Sequence, residues 1–246
     1  MAKIRLGIYG GTFSPPHLGH VSAARSFVRG AALDRLIIMP DFTPPHKLDF
    51  GNVTADDRLA MCRIAFAAVP CAEVSDFEIL RGGKSYTYVT LEAFAKENVE
   101  LFFLCGTDML LTLDTWKCPE IIFDLATICY VRRESDTCND VLIKDKISEY
   151  KRRFSARIIE LEHRVLEASS TDLRSNIESG DMTSMNLSSG VTEYIRERGL
   201  YRLSVRIELK NCARKLERDC LTSVMRTHWA LSAPLFRLAN IAYLIR

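Results

Sequence analysis

A doubly wound parallel α/β sheet is the fold class this sequence predicts, and three observations predict it. Short apolar runs alternate with segments of helical periodicity along most of the chain. Most of the runs are continuously apolar, as strands buried on both faces are. The unusual polar clusters fall just after such runs, where open α/β sheets carry their ligand-binding loops. Size agrees, since 246 residues with 48% hydrophobic content suffice for one sizeable core, or for one core with an appendage.

Taken in order, strands are expected at residues 4–9, 36–39, 72–77, 101–105, 126–131 and 157–161. Between the first two, Leu18, Val21, Ala24 and Val28 form an apolar stripe at helical spacing, and Gly30 supplies a stop. After the second, Thr54 followed by Asp56 and Asp57 reads as an N-cap with acids in the first turn. Leu59, Cys62, Ile64, Ala65 and Ala68 are then expected to line a helix face. Strand–helix alternation of this kind implies right-handed crossovers and helices on both faces of the sheet. No internal repeat or low-complexity segment interrupts it.

Four clusters follow strands: GGTFSPPH after the first, PDFTPPHK (40–47) after the second, GTD (106–108) after LFFLC, and SSTDLR (169–174) shortly after the last. In a parallel sheet all four gather at one edge. The first carries the most chemistry. Gly10 and Gly11 allow a tight turn and close approach of main-chain amides to a ligand. A helix is expected to begin near Pro16, its free N–H groups and positive dipole end forming an anion site. His17 and His20, three apart, project from one face of its first turn, and Thr12 adds a hydroxyl donor. Two imidazoles beside a helix start suit a polyphosphate. The third glycine of a GxGxxG dinucleotide fingerprint is missing.

Composition removes several other classes. No uninterrupted apolar run approaches the roughly 18 residues of a membrane span, and no apolar core of a secretory leader follows Lys3 and Arg5. The eight cysteines, at 62, 71, 105, 118, 129, 138, 212 and 220, show no CxxC pair. They read as reduced thiols of a cytoplasmic protein, neither a zinc site nor a disulfide framework. Charge divides the chain: residues 202–246 hold nine basic and three acidic side chains, a net of +6, against a net of −4 for residues 1–201.

The stretch GIYGGTFSPPHLGH resembles the HxGH motif of the nucleotidyltransferases. With PPHK (44–47), RLAMCRIAF (58–66), SDFEILRGGKSYTYVTLE (75–92), GTD followed by Trp116, SSTDLR and VTEYIRERGLY (191–201), the chain is similar more narrowly to the bacterial nicotinate-nucleotide adenylyltransferases over residues 3–201. Two departures stand out. Ser14 occupies a position where the family usually has Asp, and MTSMNLSSG (182–190) lacks a proline common there.

The resemblance implies a Rossmann-like nucleotidyltransferase fold for residues 1–201 and adenylyl transfer from ATP to nicotinate mononucleotide, giving deamido-NAD and pyrophosphate. The same chemistry on nicotinamide mononucleotide or phosphopantetheine, and a nucleotide-binding regulator without turnover, are the competing readings. The attacking phosphate oxygen is already an anion, so positioning and charge stabilisation suffice. The roles implied are His17, His20, Lys47 and Arg174 on the phosphates; Gly10, Gly11, Thr12, Gly106, Asp108, Ser170 and Thr171 around ATP; and Tyr86, Thr87 and Trp116 around the pyridine nucleotide. Ser169 or Ser170 caps the helix before Arg174, and Arg132 and Arg133 face either nucleotide or solvent. Mg²⁺ is expected to arrive with ATP, held by substrate oxygens and water without a protein cage. Residues 202–246 are expected to form a basic helical extension packed on the body or on a second copy, with no membrane or nucleic-acid partner.

Overall fold

The computed structural model describes residues 3–43, 52–132, 140–162, 168–179 and 186–201. Among them are strands β1 (Ile4–Gly11), β2 (Arg35–Pro40), β3 (Ala72–Val74), β4 (Val99–Gly106), β5 (Ala126–Val131) and β6 (Ile158–Leu161). The helices are α1 (Leu18–Gly30), α2 (Ala55–Phe66), α3 (Phe77–Arg81), α4 (Thr87–Phe94), α5 (Thr107–Leu110), α6 (Pro119–Leu125), α7 (Asp140–Phe154), α8 (Ser170–Ser179) and α9 (Ser189–Arg198). The chain divides between Arg202 and Leu203, and every described residue lies before that point. The expected 202–246 extension falls outside the described residues.

All strand pairings are parallel, in the order β3-β2-β1-β4-β5-β6. The sheet winds outward from β1 to β3, then returns to the other side of β1 and winds outward again. The reversal opens a crevice beyond the carboxyl ends of β1 and β4, which is where such sheets take ligands.

The continuous apolar runs have a simple cause. Leu36 and Ile38 of β2, Phe102 and Leu104 of β4 and Cys129 of β5 enter one buried cluster, with Phe27 of α1 and Met61, Cys62 and Phe66 of α2. Ile37 and Met39, Leu101, Phe103 and Cys105, and Ile128 and Tyr130 enter a second, with Leu91 of α4, Phe123 of α6 and Tyr150 of α7. Alternate residues serve opposite faces, and both faces are covered. Burial pushes the Cys62, Cys105 and Cys129 thiols up, Cys129 to about 12, so they are packing groups.

Gly7 shows how tightly α1 is laid on the sheet. A Cβ there would sit 2.4 Å from Leu33 Cδ1 and 2.8 Å from Phe27 Cε1. Gly7→Ala is therefore expected to destabilise the fold by about 1–3 kcal/mol through overpacking, read as a lowered midpoint in urea with an unchanged m-value.

Beyond small extensions of the strand ends, three features differ from the sequence expectations. The third strand stops at Val74, and Phe77 opens α3, because Ser75 Oγ accepts the Phe77 N–H and starts a turn. The first helix begins at Leu18, with His17 as its N-cap. On α2, Leu59, Cys62 and Ala65 are buried as expected, but Ile64 is exposed, as is Ala68, which lies beyond the helix end. The buried face instead passes through Asp57, Arg58, Met61 and Phe66. Thr54 caps α2 as expected, accepting the Asp57 N–H while the Asp57 side chain accepts the Thr54 N–H.

Candidate active site

The first loop does not turn at its glycines. β1 runs on through Gly10 and Gly11, which pair with Met39 and Pro40. The chain turns at Phe13, whose φ is 47°. The Phe13 ring is 2% exposed and stands edge-on to Tyr9, Phe66 and His20, with centroids 5.3, 5.5 and 5.1 Å away. A Cβ on Gly11 would lie 3.1 Å from that ring, so any larger residue there would push the Phe13 ring by a few tenths of an ångström. The Thr12 hydroxyl, expected to serve as a free donor, donates to Asp41 Oδ2 at 2.9 Å.

His17 and His20 cap α1 reciprocally. The His20 N–H donates to His17 Nδ1 at 3.3 Å, and the His17 N–H donates to His20 Nδ1 at 3.2 Å. This is a capping box built from two imidazoles. Their rings stack with centroids 3.6 Å apart and planes 25° apart. Because each Nδ1 accepts, each neutral ring carries its hydrogen on Nε2, an assignment that follows from the hydrogen bonds. One pair of side chains thus closes the helix start and leaves the Nδ1 of each ring committed to the main chain.

Helix α8 staples this loop from below. The Arg174 guanidinium donates to Ser14 O at 2.8 Å and to Thr171 Oγ1 at 3.1 Å, and Ser170 Oγ donates to Pro15 O at 3.2 Å. Ser169 is the capping serine, its Oγ accepting the Asp172 N–H at 3.4 Å. Ser14, 2% exposed, has its Oγ 3.1 Å from Tyr201 Oη, so serine at this position is held by the far end of the domain. Burial pushes the Tyr201 phenol well above its usual range.

At the carboxyl end of β4, Gly106 precedes α5, and the Asp108 side chain lies so close that a Cβ on Gly106 would meet its Oδ1 at 2.8 Å. Asp108 is exposed in the first turn of α5, which puts its carboxylate at the rim. Tyr86 and Thr87 reach the same edge by the exit of β2: the Phe42 N–H donates to Ser85 Oγ at 3.1 Å, and the Ser85 N–H to Thr43 O at 3.2 Å. Trp116 is half-buried, edge-on to Phe103 of β4 with centroids 6.2 Å apart. The next residue, Lys117, holds its ammonium 4.5 Å from the Tyr86 ring centre, which ties the Trp116 segment to the start of α4.

Lys47 and Arg133 lie outside the described residues. Arg132 is engaged by Asp140 and Glu160 and serves the packing of α7 and β6.

Sequence reasoning passed over two side chains that organise the site. Lys117 gave no signal beyond its place after Trp116. Arg58 gave one: it occupies the α2 register of Cys62 and Ala65, four and seven residues on, where a charge has no reason to be unless it is paired. The Arg58 side chain is 1% exposed and forms an ion pair with Asp41 Oδ1 at 2.9 Å. It also donates to Thr12 O at 2.8 Å, Asp41 O at 2.6 Å and Phe42 O at 3.0 Å.

The cytidylyltransferase-like family matches residues 8–176 of the chain. A probable nicotinate-nucleotide adenylyltransferase of Desulfatibacillum aliphaticivorans is 36% identical over 215 residues, covering 80% of this chain and all of the relative. One from Clostridium botulinum (strain Eklund 17B / Type B) is 37% identical over 201 residues, covering 80% of this chain and 98% of the relative. Among solved structures, the Plasmodium falciparum nicotinic acid mononucleotide adenylyltransferase complexed with NaAD superposes with a TM-score of 0.63 at 15% identity, over 80% of this chain and 97% of that one. At such identity the likeness is one of fold, and it agrees with the Rossmann-like nucleotidyltransferase expectation.

Proposed function

The chain belongs to the nicotinate-nucleotide adenylyltransferases, within the cytidylyltransferase-like family, and from that premise we propose that it transfers the adenylyl group of ATP to nicotinate mononucleotide, forming deamido-NAD and pyrophosphate. The observation that carries the reading is the imidazole pair stacked at the start of α1, beside the crevice where the sheet reverses. Such a pair offers hydrogen-bond donors to phosphate oxygens and needs no partner nucleophile.

In this reading a phosphate oxygen of nicotinate mononucleotide attacks the α-phosphorus of ATP in line, and pyrophosphate leaves. His17 and His20 direct their Nε2–H groups at phosphate oxygens and stabilise the charge that gathers there. Arg174, already fixed to Ser14 O, steadies the loop and adds positive charge. Lys47, by its place after β2, is assigned to the phosphates as well. Gly10, Gly11 and Thr12 contribute main chain, since the Thr12 hydroxyl is engaged by Asp41. Gly106 and Asp108 take the ribose hydroxyls of ATP, Ser170 and Thr171 border its phosphates, and Tyr86, Thr87 and Trp116 enclose the pyridine ring. Mg²⁺ fits this donor set as a passenger on ATP: the imidazole Nδ1 lone pairs are engaged by main-chain N–H groups, and the rim carboxylate is Asp108. Bound there, it would neutralise phosphate charge. Among the described residues no helix is long and apolar enough to cross a membrane, and the cytoplasm is the proposed site of action.

The test is identification of products by mass after incubation with ATP and each acceptor. Deamido-NAD should form from nicotinate mononucleotide at a rate well above any product from nicotinamide mononucleotide or phosphopantetheine. Equal or faster turnover of another acceptor would refute the substrate assignment, and no product with any acceptor would refute the enzyme.

A further inference from the structure

We propose that Arg58 is a positioning residue for this chemistry: from α2 its buried guanidinium fixes the loop between β1 and α1, and through that loop the His17–His20 pair. The proposal rests on the function argued above, and its grounds are geometric. Arg58 spans two loops that leave neighbouring strands. It donates to Thr12 O after β1, and to Asp41 Oδ1, Asp41 O and Phe42 O after β2. Asp41 returns the link, accepting from Thr12 Oγ1 through its carboxylate and donating its N–H to Gly11 O at 3.1 Å.

A closed circuit of Arg58, Asp41 and Thr12 therefore sets where the first loop departs from the sheet. The next residue is Phe13, left-handed and buried, whose ring meets both Phe66 of the same helix α2 and His20. Helix α2 grips the loop twice, by guanidinium at Thr12 and by aromatic contact at Phe13, and the second contact ends on an imidazole of the pair. The planar fork of arginine reaches three carbonyls and a carboxylate at once. A lysine ammonium, with three donors on a flexible stem, cannot reproduce that pattern.

A buried ion pair is often merely structural, and breaking one destabilises whatever surrounds it. The experiment must therefore read something that stability does not move. Arg58→Lys is made in the wild type and in a His20→Ala background, and kcat and both KM values are measured below the unfolding range of each protein. If Arg58 acts through the histidines, Arg58→Lys lowers kcat by about 10- to 100-fold in the wild type, with KM for ATP within about threefold. On the His20→Ala background it costs less than about threefold more, because the group it positions is gone. An equal loss on both backgrounds, or an unchanged kcat, overturns the proposal.

A second reading is independent of turnover. In ¹⁵N-detected spectra of the substrate-free protein, Arg58→Lys should shift or broaden the His20 imidazole resonances. Resonances identical to wild type for both histidines overturn the proposal, even if the wild type forms no deamido-NAD and the functional reading itself falls. Should Arg58→Lys fail to fold, Asp41→Asn runs through the same cycle and spectra with the same deciding outcomes.

Discussion

His20→Ala should lower kcat by about 10²- to 10³-fold while ATP binding weakens only modestly, because a donor aimed at developing charge acts mainly in the transition state. The structure adds a term that sequence alone does not show. His20 Nδ1 also accepts the His17 N–H, so the substitution removes half of the cap on α1. Losing a cap costs about 1 kcal/mol, which a thermal melt will register. The two effects separate cleanly: ATP affinity by calorimetry and kcat by pyrophosphate release, both at a temperature where the variant is folded. Parallel losses in ATP affinity and kcat would show that the imidazole binds ground and transition states alike, contrary to the role assigned to it.

Asp57→Ala should destabilise the fold at a point away from the reacting groups. Asp57 is 3% exposed and joins two helices. Its carboxylate accepts from the Thr54 N–H at 3.0 Å and Thr54 Oγ1 at 2.6 Å within α2, and from Tyr194 Oη and Arg198 Nη2, both at 3.0 Å, on α9. Removing it takes away a capping box and leaves a phenol and a guanidinium without their acceptor. Arg198 is well exposed and recovers water, so the loss is about 2–3 kcal/mol, measured in urea. The same group gives the fold an acid limb. Burial acts to raise the Asp57 carboxyl, but the bonds from Thr54, Tyr194 and Arg198 outweigh it and hold it below the usual aspartate range. A depressed carboxyl contributes in full above its unfolded value, near 4, and that contribution fades as pH falls through the lower folded value. In Asp57→Asn the stability difference from wild type should therefore shrink as pH drops below about 4. A difference constant from neutral pH to strong acid would assign the stabilisation to another group.

The order of elements was legible in the sequence because strands covered on both faces favour apolar residues at nearly every position, as β2, β4 and β5 show, while the outer β3 and β6 each admit an exposed glutamate. The site's address was legible for a related reason, since parallel strands deliver all their exits to one edge. What the sequence could not show is how those exits are joined. The glycines at 10 and 11 suggested a turn, yet the turn is made by Phe13, whose ring rests on Tyr9 and His20 nearby and on Phe66 from a distant helix. Thr12 looked like a ligand donor until Asp41, 29 positions away, was brought against it. Ile64 and Ala68 matched a helical stripe, but the buried face of α2 runs through Arg58, whose charge is paired with Asp41. Local pattern reports which surface is buried. It does not report polar groups whose partners exist only after folding.

The contact between Ser14 and Tyr201, 187 positions apart, has a bearing on the order of synthesis. As the polypeptide leaves the ribosome, the segment that carries both histidines emerges among the first twenty residues, yet the phenol that holds its serine is made at the end of the domain. A nascent chain can assemble the sheet but cannot finish this loop. The segment made first is thus the last to gain its partner, and Tyr201 brings with it a buried ring of the core.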